Sequence, residues 1–419
     1  MNTRACIISA MMAVAFGAAA LTPRQEIAAM PEKAGGVYYA YPVTTVTVTP
    51  PPAGFEPFYI SHYGRHGSRY LISDNDYQSV IDVMRRAADA GALTPMGLDV
   101  LCRLDSVFGE AQGRGGELTP LGTHQHKAIA HRMIENYPEV FAADARVTAC
   151  STVVMRCAHS MFAFIEGLKE VNPALQVPRE SSNRNMHFLN YHSAESGKYS
   201  SDKGPWYQDY KRFQRAKVNP ARLMSLLFAD AEYLRRYVDQ EALMWGLYWV
   251  AVDMQNMETK LSFFDIFTTD ELADLWEVIN FSFYATNSSY PLAEGQHVIN
   301  SRNLVADIIT RADQCIADGG HGAALRFGHD GNIVPLTAIL GLDGCYGAET
   351  EPERVAQAWV SYKISPMASN VQIVLYRNAA GEVIAKVLHN ERETAVPEVA
   401  TDMFPFYKWD DLKTYWSKK

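Results

Sequence analysis

Short runs of aromatic and β-branched residues alternate along the chain with longer stretches in which apolar residues recur at helical spacing. Phe58, Tyr59 and Ile60 form the first such run and favour an extended, half-buried strand. The stretch from about Asn75 to Ala90 has helical spacing and predicts a helix. The alternation repeats, and it predicts strands at 146–151, 323–327, 371–376 and 383–388 and helices at 152–171, 303–317 and 334–340.

Local signals mark several boundaries of these elements. Thr94-Pro95 and Thr119-Pro120 fit helix starts, because threonine caps a helix N-terminus and proline is tolerated in the first turn. The segment from Asn378 to Gly381 predicts a hairpin between the last two strands. Residues 21–57 predict an irregular lead-in, since prolines at 50, 51, 52 and 57 interrupt regular structure.

Strand signals are scarce between about residues 181 and 300, where aromatic residues such as Trp206, Trp245 and Trp276 recur in helical stretches. This segment predicts an all-helical insertion that packs as a cap over the rest of the chain. We therefore expect an α/β fold with a mostly parallel central sheet flanked by helices. Residues 21–180 and 301–419 form this core in the prediction, and the cap domain is inserted at 181–300.

The first 20 residues are typical of a signal peptide. Arg4 precedes an apolar run, and Ala18, Ala19 and Ala20 are small residues suited to cleavage. No later segment is long and apolar enough for a membrane span. We expect an exported protein, periplasmic or secreted, with no stable span after cleavage; retention of the signal as an N-terminal anchor is the alternative.

Composition narrows the possible partners and cofactors. The net charge of −9 argues against a nucleic-acid-binding protein, which would present a basic face. Five cysteines follow the signal, an odd number that leaves at least one unpaired within the chain, and no C-x-x-C pair suggests zinc. His124, His126 and His131 lie close together on one predicted helix, but no carboxylate or cysteine completes a ligand set. We expect neither a metal site nor a cofactor.

The loop after the first strand carries the strongest candidate chemistry. Arg65, His66 and Arg69 lie around Gly67, where the missing side chain would allow a ligand to approach the backbone. Two guanidinium groups can meet phosphate oxygens in pairs, and an imidazole can attack phosphorus. The pattern predicts a phosphate-binding site with His66 as the nucleophile.

Two further segments follow predicted strands in the same way. Arg156 lies in the first turns of the helix after the strand at 146–151, and His329-Asp330 follows the strand at 323–327. Ligands bind at the carboxyl ends of strands in open α/β sheets, so these side chains could reach the same phosphate. A structural ion pair for Arg156 and a helix cap for His329-Asp330 are the alternatives.

Together these motifs resemble the histidine phosphatase superfamily in its acid phosphatase and phytase branch. The resemblance rests on Arg65-His66-Gly67-x-Arg69, on Arg156 and on His329-Asp330, in that order, and covers nearly all of the mature chain. Some stretches are similar to the multiple inositol polyphosphate phosphatases, among them 325–330, 267–276 and Leu388-His-Asn-Glu391. That group usually has His-Ala-Glu where this chain has His329-Asp330, so the acid function is expected on Asp330.

The resemblance implies a phosphomonoester hydrolase with a phosphohistidine intermediate at His66. It implies that Arg65, Arg69, Arg156 and His329 bind the phosphate and that a protonated Asp330 serves as the general acid. Inositol polyphosphates are the expected substrates, and no metal is required. The alternatives are a broad or sugar-phosphate acid phosphatase and a phospholigand-binding protein without turnover.

Overall fold

The computed structural model describes residues 21–42, 47–142 and 144–419, so the predicted signal peptide at 1–20 lies outside the described residues. An eight-stranded sheet forms the centre of the molecule. Its strands are β1 Glu56–Arg65, β2 Arg146–Ser151, β3 Arg179–Ser181, β4 Gly322–Gly328, β5 Asn370–Arg377, β6 Val383–His389, β7 Arg392–Glu393 and β8 Phe406–Lys408.

The sheet has a parallel half and an antiparallel half. Its strands follow the order β3-β2-β4-β1-β5-β6-β7, and β8 pairs with β6. The pairs β3–β2, β2–β4 and β4–β1 are parallel. From β1 to β5 onward the pairs are antiparallel, and β5–β6 is the predicted hairpin. Parallel pairs need crossover connections, which explains why helices follow β1, β2 and β4.

Helices account for most of the remaining described chain. The α-helices are α1 Pro23–Ala29, α2 Asp74–Asp89, α3 Pro95–Ala111, α4 Pro120–Asn136, α5 Met155–Val171, α6 Met186–Leu189, α7 Ala194–Ser200, α8 Tyr207–Lys217, α9 Ala221–Leu227, α10 Ala231–Tyr237, α11 Gln240–Asp253, α12 Thr269–Asn287, α13 Arg302–Ala317, α14 Asp330–Ile339, α15 Pro352–Ala358, α16 Ser361–Ile364 and α17 Trp409–Trp416. Short 3-10 helices span Pro31–Tyr38, Pro138–Phe141, Asn183–Asn185, Met254–Asn256, Phe264–Ile266, Pro291–Ala293 and Val298–Ser301.

The side chains of β1 alternate between the two faces of the sheet. Ile60 packs into a core with α4 and α5, whereas Tyr59 faces a second core that includes residues of α13, α14 and α17. Helices thus cover both faces, which is what buries the apolar positions of a parallel sheet. The predicted fold class is confirmed.

The two Thr-Pro helix starts are confirmed. The hydroxyl of Thr94 accepts a hydrogen bond from the backbone N–H of Gly97, and that of Thr119 accepts one from Gly122. Each cap satisfies a backbone donor that the first helical turn would otherwise leave unpaired.

The described residues between β3 and β4 form helices joined by turns and loops. Helices α9 and α11 of this segment share a hydrophobic core with α2 and α3, which precede β2 in the chain. The helical segment is therefore packed directly onto the α/β part. Its treatment as a separate domain at 181–300 stays a prediction.

The prediction of an irregular lead-in at 21–57 is wrong for its first half, which forms α1 and the 3-10 helix Pro31–Tyr38. Thr22 and Gln25 make a capping box at the start of α1. Arg24 then binds Asp274 and, at 2.7 Å, Glu277 of α12. Contacts with a helix about 250 residues away stabilise this segment. Its helices therefore depend little on local sequence, and the sequence shows only a short helical pattern there.

None of the helices in the described ranges is long and apolar enough to cross a membrane. The cysteines at 102, 150, 157, 315 and 345 all have free thiols. No disulfide joins any two of these five cysteines in the structure.

Candidate active site

Three strand ends meet at one edge of the parallel half. In the sheet register Arg65 of β1 lies opposite Gly328 of β4, and Ser151 of β2 lies opposite Phe327. The backbone N–H of His66 donates to the carbonyl of Gly328 over 2.9 Å. The residues that follow β1, β2 and β4 are therefore neighbours, as expected at the carboxyl ends of parallel strands.

His66 is buried, with 2% of its surface exposed. Its Nδ1 lies 2.9 Å from the carbonyl oxygen of Gly67. A carbonyl only accepts, so Nδ1 carries the proton and Nε2 keeps its lone pair. Burial, followed by the positive charges of Arg65 and Arg156, holds the pKa of His66 well below its usual value. The imidazole is neutral and has a nucleophilic nitrogen.

Gly67 places this loop against the first turn of α4. A Cβ built on Gly67 would lie 2.5 Å from the carbonyl oxygen of Gly122, and one on Gly122 would lie 2.3 Å from that of Ser68. The N–H of Gly67 donates to the hydroxyl of Ser160 in α5 over 3.1 Å. The expectation that Gly67 leaves room for a ligand is therefore wrong, because backbone of α4 occupies that space.

Arg65 is fully buried and makes three hydrogen bonds through its terminal nitrogens. Nη1 donates to the carbonyl of Val37 and, at 2.8 Å, to that of Ser365. Nη2 donates to Oδ2 of Asp330 at 2.7 Å. Burial lowers the pKa of Arg65 to about 10 despite the nearby carboxylate, so the guanidinium remains charged at neutral pH.

The other two arginines differ in how firmly they are held. Arg69 donates to the carbonyl of Tyr70 at 2.7 Å and to the hydroxyl of Tyr38 at 2.9 Å, and it lies 4.6 Å from the Tyr38 ring centroid. Arg156 is half-buried in the first turn of α5, and its buried Nε has no hydrogen-bond partner among the described residues. Burial, together with the charge of Arg69, lowers the pKa of Arg156.

His329 and Asp330 connect β4 to α14. The ring centroids of His329 and His66 are 5.7 Å apart, and Nε2 of His329 lies 3.2 Å from the hydroxyl of Thr152. Burial, opposed by Asp330, lowers the pKa of His329 to about 4. It is therefore a neutral hydrogen-bonding group.

Asp330 is one quarter exposed and accepts a hydrogen bond from the N–H of Gly331 at 2.8 Å, in addition to its ion pair with Arg65. Burial acts to raise the pKa of Asp330, but the charge of Arg65 outweighs it and lowers the pKa. The protein groups around it thus favour the ionised carboxylate, whereas the sequence predicts a protonated acid.

A loop that precedes β5 supports the backbone of this site. The N–H of Ala368 donates to the carbonyl of His66 over 2.9 Å, and the N–H of Arg65 donates to Ser369 over 2.8 Å. His389 and Asn390 hold the start of this loop, since they contact the carbonyls of Ile364 at 2.7 Å and Lys363 at 3.0 Å. The Leu388-His-Asn-Glu391 stretch therefore contributes to the architecture of the site.

The structure brings all six predicted site residues to one edge of the sheet. Sequence reasoning missed Tyr38, Thr152 and Ser365, which contact Arg69, His329 and Arg65. Thr152 could have been found because it directly follows a predicted strand. Tyr38 and Ser365 lie 31 and 300 residues from the arginines they contact, and no local pattern marks them.

The three histidines of α4 have separate surroundings. His126 is buried among aromatic rings, 5.6 Å from Phe327 between centroids, and burial lowers its pKa to about 3. His131 lies near the surface, 2.8 Å from Glu170. Within 21–42, 47–142 and 144–419, no group of three or more His, Cys, Asp or Glu residues is arranged to hold a metal ion.

Comparison with known proteins gives one family. The pattern described as "Histidine phosphatase superfamily (branch 2)" matches residues 64–396, which include all six site residues. The chain is also similar to chicken (Gallus gallus) multiple inositol polyphosphate phosphatase 1, with 23% identity over 369 residues, 81% of this chain and 78% of that protein.

Solved structures share the fold at lower identity. Multiple inositol polyphosphate phosphatase from Bifidobacterium longum, in complex with inositol hexasulfate, has a TM-score of 0.77 at 18% identity and covers 91% of this chain and 97% of its own. The phytase from D. castellii has a TM-score of 0.63 at 15% identity, with coverage of 92% and 84%.

The contact between Gly67 and Gly122 can be tested by Gly67→Ala. The new methyl would lie within 2.7 Å of two backbone atoms of Gly122, so the loop or α4 must move. We expect the free energy of unfolding to fall by about 1–3 kcal/mol, which chemical denaturation measures.

Gly109→Ala is the matched control, because a Cβ at this position in α3 meets nothing within 4 Å. This change should be neutral or stabilising by roughly 0.5–1 kcal/mol. Equal stabilities for Gly67→Ala and the native protein would contradict the packing role of Gly67.

Proposed function

Because the chain belongs to the histidine phosphatase superfamily, branch 2, we propose that it hydrolyses inositol polyphosphates through a phosphohistidine formed on His66. One observation carries this proposal. A neutral imidazole with a free Nε2 lone pair is buried at the strand edge where three guanidinium groups meet. A phosphoryl group needs an in-line nucleophile and positive charge around its equatorial oxygens, and this edge supplies both.

The substrate class rests on the relatives. The chicken protein and the B. longum structure are both named multiple inositol polyphosphate phosphatases, and the D. castellii protein is a phytase. Similarity to several proteins of this kind supports inositol polyphosphates as substrates of this chain.

In the first step Nε2 of His66 attacks phosphorus, so the N–P bond forms as the bond from phosphorus to the ester oxygen breaks. Arg65, Arg69 and Arg156 bind the equatorial oxygens and compensate their charge. His329, neutral and 5.7 Å from His66 between ring centroids, adds a hydrogen bond. In the proposed mechanism the arginines supply the positive charge in every step.

Asp330 gives its proton to the departing alkoxide. The charge of Arg65 favours its ionised form in the protein alone. A phosphate dianion bound among the arginines offsets their charge, raises the pKa of Asp330 and favours the protonated acid. Water then attacks phosphorus, the N–P bond breaks, and the Asp330 carboxylate accepts the proton from that water.

We further propose that the helical segment at 181–300 serves as a cap over the site. In support, the hydroxyl of Tyr63 in β1, two residues before Arg65, donates to the carbonyl of Leu189 in this segment over 3.0 Å. We also propose export of the protein to the periplasm or the medium, on the basis of the apolar run at 1–20.

A sugar-phosphate acid phosphatase is the second candidate. The identity of residue 330 favours this second candidate. The inositol phosphatase group usually has His-Ala-Glu at this place, whereas this chain, otherwise similar to that group, has His329-Asp330. Rates of phosphate release from phytate and from glucose 1-phosphate, measured side by side, distinguish the two.

The phosphohistidine itself is the direct test. We expect labelled substrate, stopped in denaturant during turnover, to leave a label that is alkali-stable and acid-labile on the peptide containing His66. His66→Ala should abolish both label and turnover, while His131→Ala, at a surface histidine of α4, should retain both. A stable label on a carboxylate or serine would exclude the proposed intermediate.

Arg156→Ala tests the phosphate clamp. An arginine acting on a phosphoryl transition state contributes about 10³ to 10⁵ in rate, or roughly 4–7 kcal/mol of barrier. We expect kcat to fall on that scale, as measured by steady-state kinetics, with an unchanged unfolding midpoint.

Arg146→Ala provides the control for this variant. Arg146 is 71% exposed and begins β2, at the opposite end of the strand that leads to Arg156, so its removal should change kcat less than about twofold. Turnover of Arg156→Ala close to the native rate would place Arg156 outside the clamp.

Asp330→Asn tests the general acid. General acid catalysis contributes about 10² to 10⁴ in rate, and poor leaving groups depend on it most. We expect hydrolysis of inositol phosphates to slow on that scale and hydrolysis of p-nitrophenyl phosphate to slow much less, because its phenolate leaves without a proton. Asp318→Asn, at the opposite edge, should affect neither; equal slowing of both substrates by Asp330→Asn would contradict the assignment.

A further inference from the structure

A polar cavity of about 420 Å³ adjoins the candidate acid, Asp330. Its wall includes Gly331, the residue after Asp330, together with residues of α7 and α12 from the helical segment. The N–H of Gly331 donates to Oδ1 of Asp330 at 2.8 Å. The cavity thus reaches the residue that follows Asp330 in the chain.

The cavity wall is polar but carries no lysine or arginine among the described residues. Hydroxyl groups, amides and imidazoles make up most of it, with one indole: His192, Ser196, Trp206, Ser282, Asn287 and Asn300. This contrasts with the three guanidinium groups of the candidate active site. A phosphate dianion would lose hydration in this cavity without gaining an opposite charge.

Two groups close to Gly331 are hydrogen-bond acceptors. Asn287 donates through Nδ2 to Thr286 at 2.9 Å and to the carbonyl of Phe283 at 3.3 Å, which leaves its Oδ1 to accept. His192 contacts the side-chain oxygen of Asn190 through Nε2 at 3.2 Å, so Nε2 carries the proton and Nδ1 can accept.

The side chains of Asn287 and His192 both lie close to Gly331, the residue after Asp330. A methyl group built on Gly331 would be 3.6 Å from Oδ1 of Asn287 and 3.6 Å from Cε1 of His192. An alcohol can donate to Oδ1 of Asn287, whereas an ionised phosphate has no proton to donate to it.

From this arrangement we infer that the cavity receives the part of the leaving group next to the scissile ester and selects free hydroxyl groups there over phosphate groups. The inference rests on the proposed function, since it places a polyol leaving group beside Asp330. It narrows the substrate class to polyol phosphates that carry unphosphorylated hydroxyls beside the reacting position. Phytate, in which every neighbouring position is phosphorylated, is then a poorer substrate than a lower inositol phosphate.

Asn287→Leu tests this selection, because leucine has a similar size and no acceptor. The test compares kcat/KM for a myo-inositol monophosphate, for phytate and for p-nitrophenyl phosphate, whose leaving group has no hydroxyl. We expect kcat/KM to fall about tenfold for the inositol monophosphate, the effect of one lost hydrogen bond. Hydrolysis of p-nitrophenyl phosphate should stay within about twofold, which also shows that the variant is folded.

Asn287→Lys provides a second, opposite test. A cation in the cavity should raise the kcat/KM ratio of phytate to inositol monophosphate at least about tenfold, as expected for a charge-assisted contact. Gln314→Leu is the matched control, because it removes an exposed amide near the end of α13. This position is close to the start of β4 and thus at the opposite edge of the sheet. The kcat/KM values for all three substrates should stay unchanged in this variant.

The outcomes separate this inference from the proposed function. Loss of inositol monophosphate hydrolysis alone in Asn287→Leu supports the hydroxyl site. Equal effects on inositol monophosphate and p-nitrophenyl phosphate, or no effect on either, overturn it while the phosphohistidine mechanism stands. A native protein that turns over none of the three substrates removes the proposed function and the inference together.

Discussion

The buried guanidinium of Arg65 holds together four segments that are far apart in the chain. It binds Val37, 28 residues before it, and Asp330 and Ser365, 265 and 300 residues after it. Removal of the Asp330 carboxylate would leave the buried guanidinium of Arg65 without this compensation, which is destabilising. The lead-in, β1, α14 and the loop before β5 therefore meet at one side chain.

The same contact links the architecture to the chemistry. Arg65 lowers the pKa of Asp330 and, with Arg156 and Arg69, helps burial to keep His66 neutral. In the proposed mechanism a group that neutralises the arginines reverses the effect on Asp330, so the protonation of the proposed acid is coupled to occupation of the proposed phosphate site. The chain as a whole carries a net charge of −9, and the attraction for an anion arises from this local concentration of guanidinium groups.

Sequence patterns predict a structural feature correctly where the physical cause of that feature is local. The Thr-Pro pairs at 94–95 and 119–120 start helices because the hydroxyl and the proline act within one turn. Arg65, Arg156 and His329 could be placed together because each comes at or soon after the end of a strand, and parallel strands bring those ends to one edge.

The features that the sequence does not predict depend on contacts between distant segments, and no local sequence pattern indicates such contacts. The role of Gly67 is set by the backbone of Gly122, and the helix of α1 is stabilised by acidic residues of α12. Tyr38 orients Arg69 from a lead-in that has little periodicity. The sequence does not show that His126 is buried while His131 lies near the surface, because both residues are on one helix whose apolar face is weakly marked.

Asp330 lies at the boundary between two environments of opposite character. On one side Arg65 supplies a permanent charge at 2.7 Å, and on the other Gly331 leads to a cavity wall of neutral acceptors. In the inferred arrangement, charge on the first side suits the phosphoryl group and uncharged acceptors on the second suit an alcohol, so the two products of ester cleavage would contact different walls. In the proposed mechanism the proton passes from the carboxyl group to the ester oxygen, and Asp330, which contacts both Arg65 and the N–H of Gly331, is the carboxyl next to both regions.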